Sequence, residues 1–218
     1  MPILVFNTGM NTTKTRSLSE LITDLQAHIS GDKTSIATIL NAFHERGFGF
    51  FLFLIALPAA LPIPAIGINT IIALPLMMLT AQQAIGRKTL WLPEKWKSKE
   101  VSSAKIEGFI DAAKPWLKRI EFFIRPRLSF ITQGVFSYVI GITGFIMSLA
   151  VAIPLPLTNT VPAFGIALMA VGILMRDGLA VIGGILIGLA WVVLLITAFY
   201  LFGSEAVDII KNFIKGML

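Results

Sequence analysis

The sequence predicts an all-α integral membrane protein: two related, proline-broken hydrophobic helix pairs, a C-terminal span, and amphipathic helices at the N-terminus and centre. Three observations carry this. Of 218 residues, 56% are apolar and only 14% charged, against roughly 25% charged in soluble domains. No Asp, Glu, Lys or Arg occurs in residues 47–86, 128–175 or 178–204, gaps of 40, 48 and 27 residues. A helix crosses a bilayer core in about 20 residues, so these gaps have room for two, two and one crossings. The third observation is that the two longer gaps repeat one another, as set out below.

Residues 1–46 read as a cytoplasmic helical hairpin. The first apolar run, Pro2 to Phe6, is too short for a signal-peptide core, so insertion is expected to use internal segments. Ser17 and Glu20 have capping-box spacing, and Leu18, Leu21, Ile22, Leu25 and Ile29 follow at helical intervals. Gly31-Asp32 reads as the turn, with Thr34 or Ser35 capping a second helix that places Ile36, Ile39, Leu40 and Phe43 on one face.

Residues 47–86 form the first broken pair, interrupted by Pro58, Pro62, Pro64 and Gly67. Proline removes a backbone donor and clashes with the preceding turn. Non-helical backbone at membrane depth survives only where protein or a wet cavity satisfies it. Pro62-Ile63-Pro64 is therefore either an external turn or part of a re-entrant pair. Gln82 and Gln83 lie deep in this block, where hydrogen bonding between helices is their default role.

Residues 87–127 are a basic loop, holding eleven of the eighteen Lys and Arg against five acids, while residues 1–46 carry four of each sign. Basic loops stay in the cytoplasm, which places this one there, and the N-terminus with it. Ile106, Phe109, Ile110, Ala113, Leu117, Ile120, Phe123 and Ile124 share one face of a helix bent at Pro115, with Trp116 as an anchor. Two settings remain open for it: the bilayer surface, with lysines toward anionic headgroups, or a cytoplasmic packing partner. Nucleic acid is not an expected partner, because no recognition motif accompanies the charge.

Residues 128–175 form the second broken pair, interrupted at Pro154, Pro156 and Pro162. Residues 176–203 hold a C-terminal transmembrane helix in which Gly184 and Gly188 permit close helix packing, and 204–218 is a tail helix.

A shift of 92 places Gly49 on Gly141, Phe53 on Phe145, Leu57 on Leu149, Pro62 on Pro154 and Pro64 on Pro156. After a two-residue gap Asn69-Thr70 falls on Asn159-Thr160 and Ala73 on Ala163, and one further slip brings Arg87 onto Arg176. Paired, proline-interrupted segments in corresponding positions point to a transporter site built from broken helices. Asn69, Thr70, Asn159 and Thr160 are placed to cap the second helix of each pair, either as ordinary caps or as an anion site at a helix N-terminus. Arg87, Arg176 and Asp177 complete the candidate substrate-binding set: if the pairs are re-entrant, Arg176 holds a phosphate or Asp177 carries a proton, and if they cross fully, the Arg176-Asp177 pair ends a helix at the interface.

Catalysis is not expected. There is no Cys, the two histidines are sixteen residues apart without clustered carboxylates, and no nucleophile elbow, phosphate loop or dinucleotide fingerprint occurs. No metal or other cofactor is implied.

Taken together, Leu18-Ser19-Glu20-Leu21, Glu45-Arg46-Gly47-Phe48-Gly49, Ala56-Leu57-Pro58, Leu61-Pro62-Ile63-Pro64, Gly86-Arg87 and Trp91-Leu92-Pro93 resemble the exopolysaccharide-synthesis protein ExoD family. Pro115-Trp116-Leu117, Arg125-Pro126-Arg127-Leu128, Ile153-Pro154-Leu155-Pro156 and Arg176-Asp177-Gly178 extend the resemblance, which covers roughly 18 to 200. Asn69-Thr70 departs from it, since a small Ser-containing turn is expected there. The resemblance implies a multi-pass protein of the bacterial inner membrane connected with exopolysaccharide production, and it supplies no reaction or catalytic residue. Three functions follow as expectations: transport or flipping of an anionic lipid such as a polyprenyl phosphate, scaffolding of polysaccharide-synthesis enzymes, and ion or proton antiport through Asp177. The expected partners are anionic headgroups, that lipid carrier, and a second copy of the chain.

Overall fold

The computed structural model describes residues 31–43, 47–61, 68–87, 89–104, 106–108, 124–153 and 158–217, together with 23, 26, 29 and 111. Both Pro-x-Pro segments, most of the helix expected after Ser17 and most of the bent helix expected around Pro115 lie outside the described residues. The elements are β1 (Lys33–Ser35), α1 (Ile36–Phe43), α2 (Gly47–Ala60), α3 (Ile68–Ala84), α4 (Glu94–Lys97), β2 (Glu100–Ser102), α5 (Val135–Ala152), α6 (Thr160–Met175) and α7 (Gly178–Met217).

Four of these helices make up the core, and they exchange partners between the repeats. The first helix of each half packs chiefly on the second helix of the other: α2 on α6, and α3 on α5. Both contacts are antiparallel. Gly49 near the start of α2 faces Ala170 and Leu174 near the end of α6, while Gly141 near the start of α5 faces Gln83 and Ala84 at the end of α3. At the opposite end Thr70 Oγ1 donates to the Ala152 carbonyl at 3.1 Å, and Asn159 Nδ2 approaches the Ala59 carbonyl at 3.5 Å. The ends of α2 and α5 therefore lie together. The two hairpins point the same way, and the repeat is parallel, with its pseudo-two-fold axis running along the bundle. The sequence equivalences acquire a physical meaning: Gly49 and Gly141 are 92 apart, Leu174 and Ala84 are 90 apart, and the same glycine-on-helix contact is made twice.

Small residues allow this closeness. Gly165 of α6 meets the Gly184 carbonyl and the Gly188 Cα of α7, so the glycine spacing in α7 is used against α6. Leu52, Leu76, Leu79, Met147, Ile166, Met169 and Leu174 fill the interior. Hydroxyls inside the bundle return to their own helix: Thr80 donates to the Leu76 carbonyl, Thr143 to Val139 and Ser148 to Gly144.

Outward-facing positions are apolar as well, including Ile71, Leu74, Ile142, Phe164, Leu186, Ile196 and Phe199. A helix apolar all round belongs inside a large protein or a bilayer. Two helices, Val135–Ala152 and the Gly178–Leu201 part of α7, are long and apolar enough to cross a membrane. The 14 residues of α2 and 16 of α6 give about 21 and 24 Å of helix, short of a hydrocarbon core of about 30 Å. Pro58 and Pro162, expected to interrupt the pairs, lie within α2 and α6 instead. Pro162 sits in the first turn, where the missing N–H has no intrahelical partner to lose. α7 is broken at Gly203, which adopts φ 44°, ψ −124°.

The all-α expectation needs one correction: β1 and β2 form an antiparallel ladder pairing Lys33 with Ser102, Thr34 with Val101 and Ser35 with Glu100. Lys33 and Glu100 add an ion pair at 3.3 Å, and the Thr34 and Ser103 hydroxyls share a hydrogen bond at 3.0 Å. Ser35 then caps α1, its Oγ accepting the Thr38 N–H at 3.2 Å. The ladder thus fastens the N-terminal segment to the basic loop, and Ile36 and Leu40 of α1 pack against the core.

Candidate functional site

The candidate residues do not form one site. Asn69, Thr70, Asn159 and Thr160 lie at the proline-break end, and Arg87, Arg176 and Asp177 at the other, separated by about 24 Å of helix. Asn69 and Thr70 fall within the first turn of α3, and Thr160 opens α6. Asn159 occupies the N-cap position of α6 but caps nothing with its side chain. Capping side chains usually hang from an extended backbone, whereas Asn159 is helical at φ −92°, ψ −36°. Its amide and the Thr70 hydroxyl face carbonyls at the ends of α2 and α5 instead, so this end is held together by donors closing helix C-termini.

Arg176 and Asp177 make the corner between α6 and α7. Arg176 ends α6 in the left-handed conformation at φ 54°. Asp177, 3% exposed, is the N-cap of α7: Oδ1 accepts the Leu179 and Ala180 N–H groups at 2.9 and 3.3 Å, and Oδ2 accepts the Arg125 N–H at 3.1 Å. Its carboxylate is committed to three backbone donors.

Arg87 is placed differently. The turn that closes α3 reaches Gly86, whose φ of 80° suits glycine, with the Gly86 and Arg87 N–H groups returning to the Gln83 and Gln82 carbonyls at 3.0 and 3.1 Å. A side chain at Gly86 would also collide with the Tyr138 hydroxyl. This turn carries Arg87 out to lie 5.9 Å over the Trp91 ring, and no carboxylate pairs with it among the described residues. Arg87 borders a cavity of about 450 Å³, with Phe48 and Ile173 as apolar walls and Gln83, Ser137 and Tyr138 as polar ones. Gln83 and Ile173 are 90 residues apart, equivalent positions of the two halves, so the cavity opens near the pseudo-two-fold axis. Arg87 is the one charged residue lining it among the described residues. Arg176 is not part of it.

Gln82, next to this wall, holds the loop that follows Arg87. Its Nε2 donates to the Trp91 carbonyl at 3.1 Å and its Oε1 accepts the Trp91 N–H at 2.8 Å, so one amide replaces a rung of sheet. Gln82→Leu removes both bonds and is expected to cost about 2 kcal/mol. Lower thermal stability with faster tryptic cleavage at Arg87 would show it, and unchanged cleavage would refute it. Of the polar lining, Gln83 was visible in the sequence as a polar residue deep in an apolar block. Ser137 and Tyr138 were not, because a hydroxyl near a helix start is unremarkable without the cavity beside it.

Fold and cavity together define a helical bundle of two parallel repeats, apolar outside as well as inside, with two helices able by length and composition to cross a membrane. Within that class, the chain belongs to the ExoD family, "Exopolysaccharide synthesis, ExoD", which matches residues 18–197. It is 35% identical over 189 residues to an uncharacterised protein of Synechocystis, spanning 85% of this chain and 89% of that one. It is 28% identical over 173 residues to Protein ExoD of Rhizobium meliloti, spanning 78% and 72% respectively. No solved structure matches.

Proposed function

We propose that the protein is a multi-pass component of the bacterial inner membrane, with its N-terminus and its arginine end toward the cytoplasm, that supports exopolysaccharide production by moving an anionic lipid carrier. The phosphate headgroup, as of a polyprenyl phosphate, enters the cavity beside Arg87, between the two halves. The observation that carries this reading is a tryptophan-backed Arg87, without a carboxylate partner among the described residues, bordering a cavity near the pseudo-two-fold axis. The apolar exterior and the concentration of basic residues in 87–127 support the membrane setting and its orientation. The role is binding and translocation, with no covalent step.

Purified protein in liposomes should move a labelled polyprenyl phosphate between leaflets. Arg87→Ala should slow this by about 10-fold or more, the size of a lost charge-assisted hydrogen bond. Arg176→Gln, outside the cavity, should leave it close to wild type. Wild-type movement in Arg87→Ala would sink the mechanism. A second reading, a scaffold for polysaccharide-synthesis enzymes, is favoured by the β1–β2 ladder that joins the N-terminal segment to the basic loop. It requires silent liposomes, together with a glycosyltransferase that co-purifies with the full chain and is lost on deleting residues 18–46.

A further inference from the structure

We infer that the two helix pairs are re-entrant: their proline-break end stops inside the far leaflet, against lipid chains, and α7 alone among the described helices carries the chain to the far surface. The inference rests on the membrane setting and orientation proposed above, not on lipid movement, and it narrows the multi-pass arrangement to several entries and one full crossing.

α7 outruns the core. Gly165 of α6 lies against Gly184 and Gly188 of α7, Gly172 lies against Val181, and Met147 of α5 lies against Gly188. Followed along each helix, these contacts set the start of α6 and the end of α5 level with Trp191 to Val193 of α7. The core helices, of 14 to 18 residues, rise about 21–27 Å, whereas the apolar stretch Gly178–Leu201, of 24 residues, rises about 36 Å. Leu194 to Phe202 therefore project about 14 Å beyond the core. Among the described residues none from Val193 onward is buried. Phe199, Tyr200 and Leu201 point about 100° apart around the helix and are all exposed. A protein packed on one face would leave the others in water, so lipid chains are the occupant that suits all of them. The Thr197 hydroxyl donates to the Val193 carbonyl at 2.8 Å, which satisfies it without water. Charge returns only at Glu205, just past the break at Gly203, and this marks the far surface. The core ends below it. The chemistry of that end agrees. Carbonyls closing α2 and α5 face the Thr70 hydroxyl and the Asn159 amide, and the Thr158 hydroxyl donates to the Ile153 carbonyl at 3.2 Å. Thr158 and Asn159 are buried. In a turn facing water such carbonyls need no side-chain donor, whereas in hydrocarbon each one left open is costly.

The chain has no cysteine, so single spin labels on the full-length protein report depth directly. Ile71→Cys, Ile153→Cys, Tyr200→Cys and Ile142→Cys each replace an exposed side chain, which leaves the packing alone. In vesicles of phosphatidylethanolamine and phosphatidylglycerol, the ratio of oxygen to nickel-chelate collision rates gives the depth of each label. The labels at positions 71 and 153, both at the proline-break end, should sit in hydrocarbon about 10 Å deeper than the label at 200, which should sit at the headgroup boundary. Headgroup depth at 71 or 153, or a label at 200 in bulk water, would overturn the inference, the second because α7 would then project beyond the membrane from plain external turns. Exclusion of both reagents from position 200, the sign of a second copy packed there, would overturn the lipid contact. Position 142, midway along α5, separates the two levels of failure. A label there in water would overturn the membrane setting and the proposed function with it, whereas a label there in hydrocarbon confines any failure to re-entrance.

Discussion

Gly141→Val should prevent the bundle from closing, with loss of the folded, monodisperse protein in detergent. A Cβ at this position would run into the backbone N of Ala84 and lie 2.5 Å from the Ala84 Cα and 2.6 Å from the Gln83 carbonyl carbon. These are backbone atoms in the last turn of α3, so no side-chain rotation relieves the clash, and α3 and α5 must separate along their whole contact. Overpacking of this kind costs about 3 kcal/mol or more, a large part of the stability of any single domain. The displaced turn is also the one that carries Gln83 and Gly86 to the cavity, so binding should fail before folding does in a milder Gly141→Ala. Gly49→Ala, the equivalent in the other half, should be damaging but less so, since its Cβ meets the Ala170 carbonyl oxygen at 2.8 Å and the Leu174 Cγ and backbone N at 3.0 and 3.1 Å, looser than the contacts at Gly141. Gly183→Ala is the control. Its Cβ would touch only Leu168 Cδ2 at 3.7 Å, and alanine is the better helix former by about 1 kcal/mol. A wild-type melting midpoint in Gly141→Val would show that α3 and α5 are not packed as described.

The repeat that makes Gly49 and Gly141 equivalent was legible in the sequence, because glycines, prolines and the Asn-Thr pairs recur at fixed spacings. Which helix each glycine faces was not. Helices without a polar face carry no periodic signal for a partner, and the natural guess pairs each helix with its neighbour in the chain, whereas α2 packs on α6 and α3 on α5. The β1–β2 ladder was hidden for another reason. Lys33-Thr34-Ser35 and Glu100-Val101-Ser102 are too short and too polar to show strand alternation, and their pairing spans most of the first half of the chain. The candidate site was legible residue by residue rather than as a place. Arg87 and Gln83 stood out as polar groups in apolar surroundings, yet only the fold brings them together with Ser137 and separates them from Asn159, which shares their half-repeat pattern but lies at the other end of the bundle.

Asp177 shows how the same residue reads differently with and without its neighbours in space, and Asp177→Ala is accordingly the second large effect expected. In the sequence it stands beside Arg176 between two long uncharged stretches, which suggests a charge at membrane depth. In the fold, an Asp directly before a helix is acting as its cap, and Oδ2 reaches further, to the Arg125 N–H at the end of the basic loop. Alanine would strand three backbone donors around a site that is 3% exposed. Losing the cap alone costs about 1–2 kcal/mol, and a buried donor left unsatisfied adds about 1–3 kcal/mol. Asp177→Asn should fall between alanine and wild type, because one amide oxygen can keep the Leu179 and Ala180 bonds while the NH2 cannot accept from Arg125. The two variants separate structure from chemistry. If the carboxylate serves only to anchor α7 and the loop, lipid movement in liposomes should track the amount of folded protein in both. If Asp177 carries a proton, Asp177→Asn should lose coupled ion movement entirely even at equal amounts of folded protein, since an amide cannot replace a titrating acid.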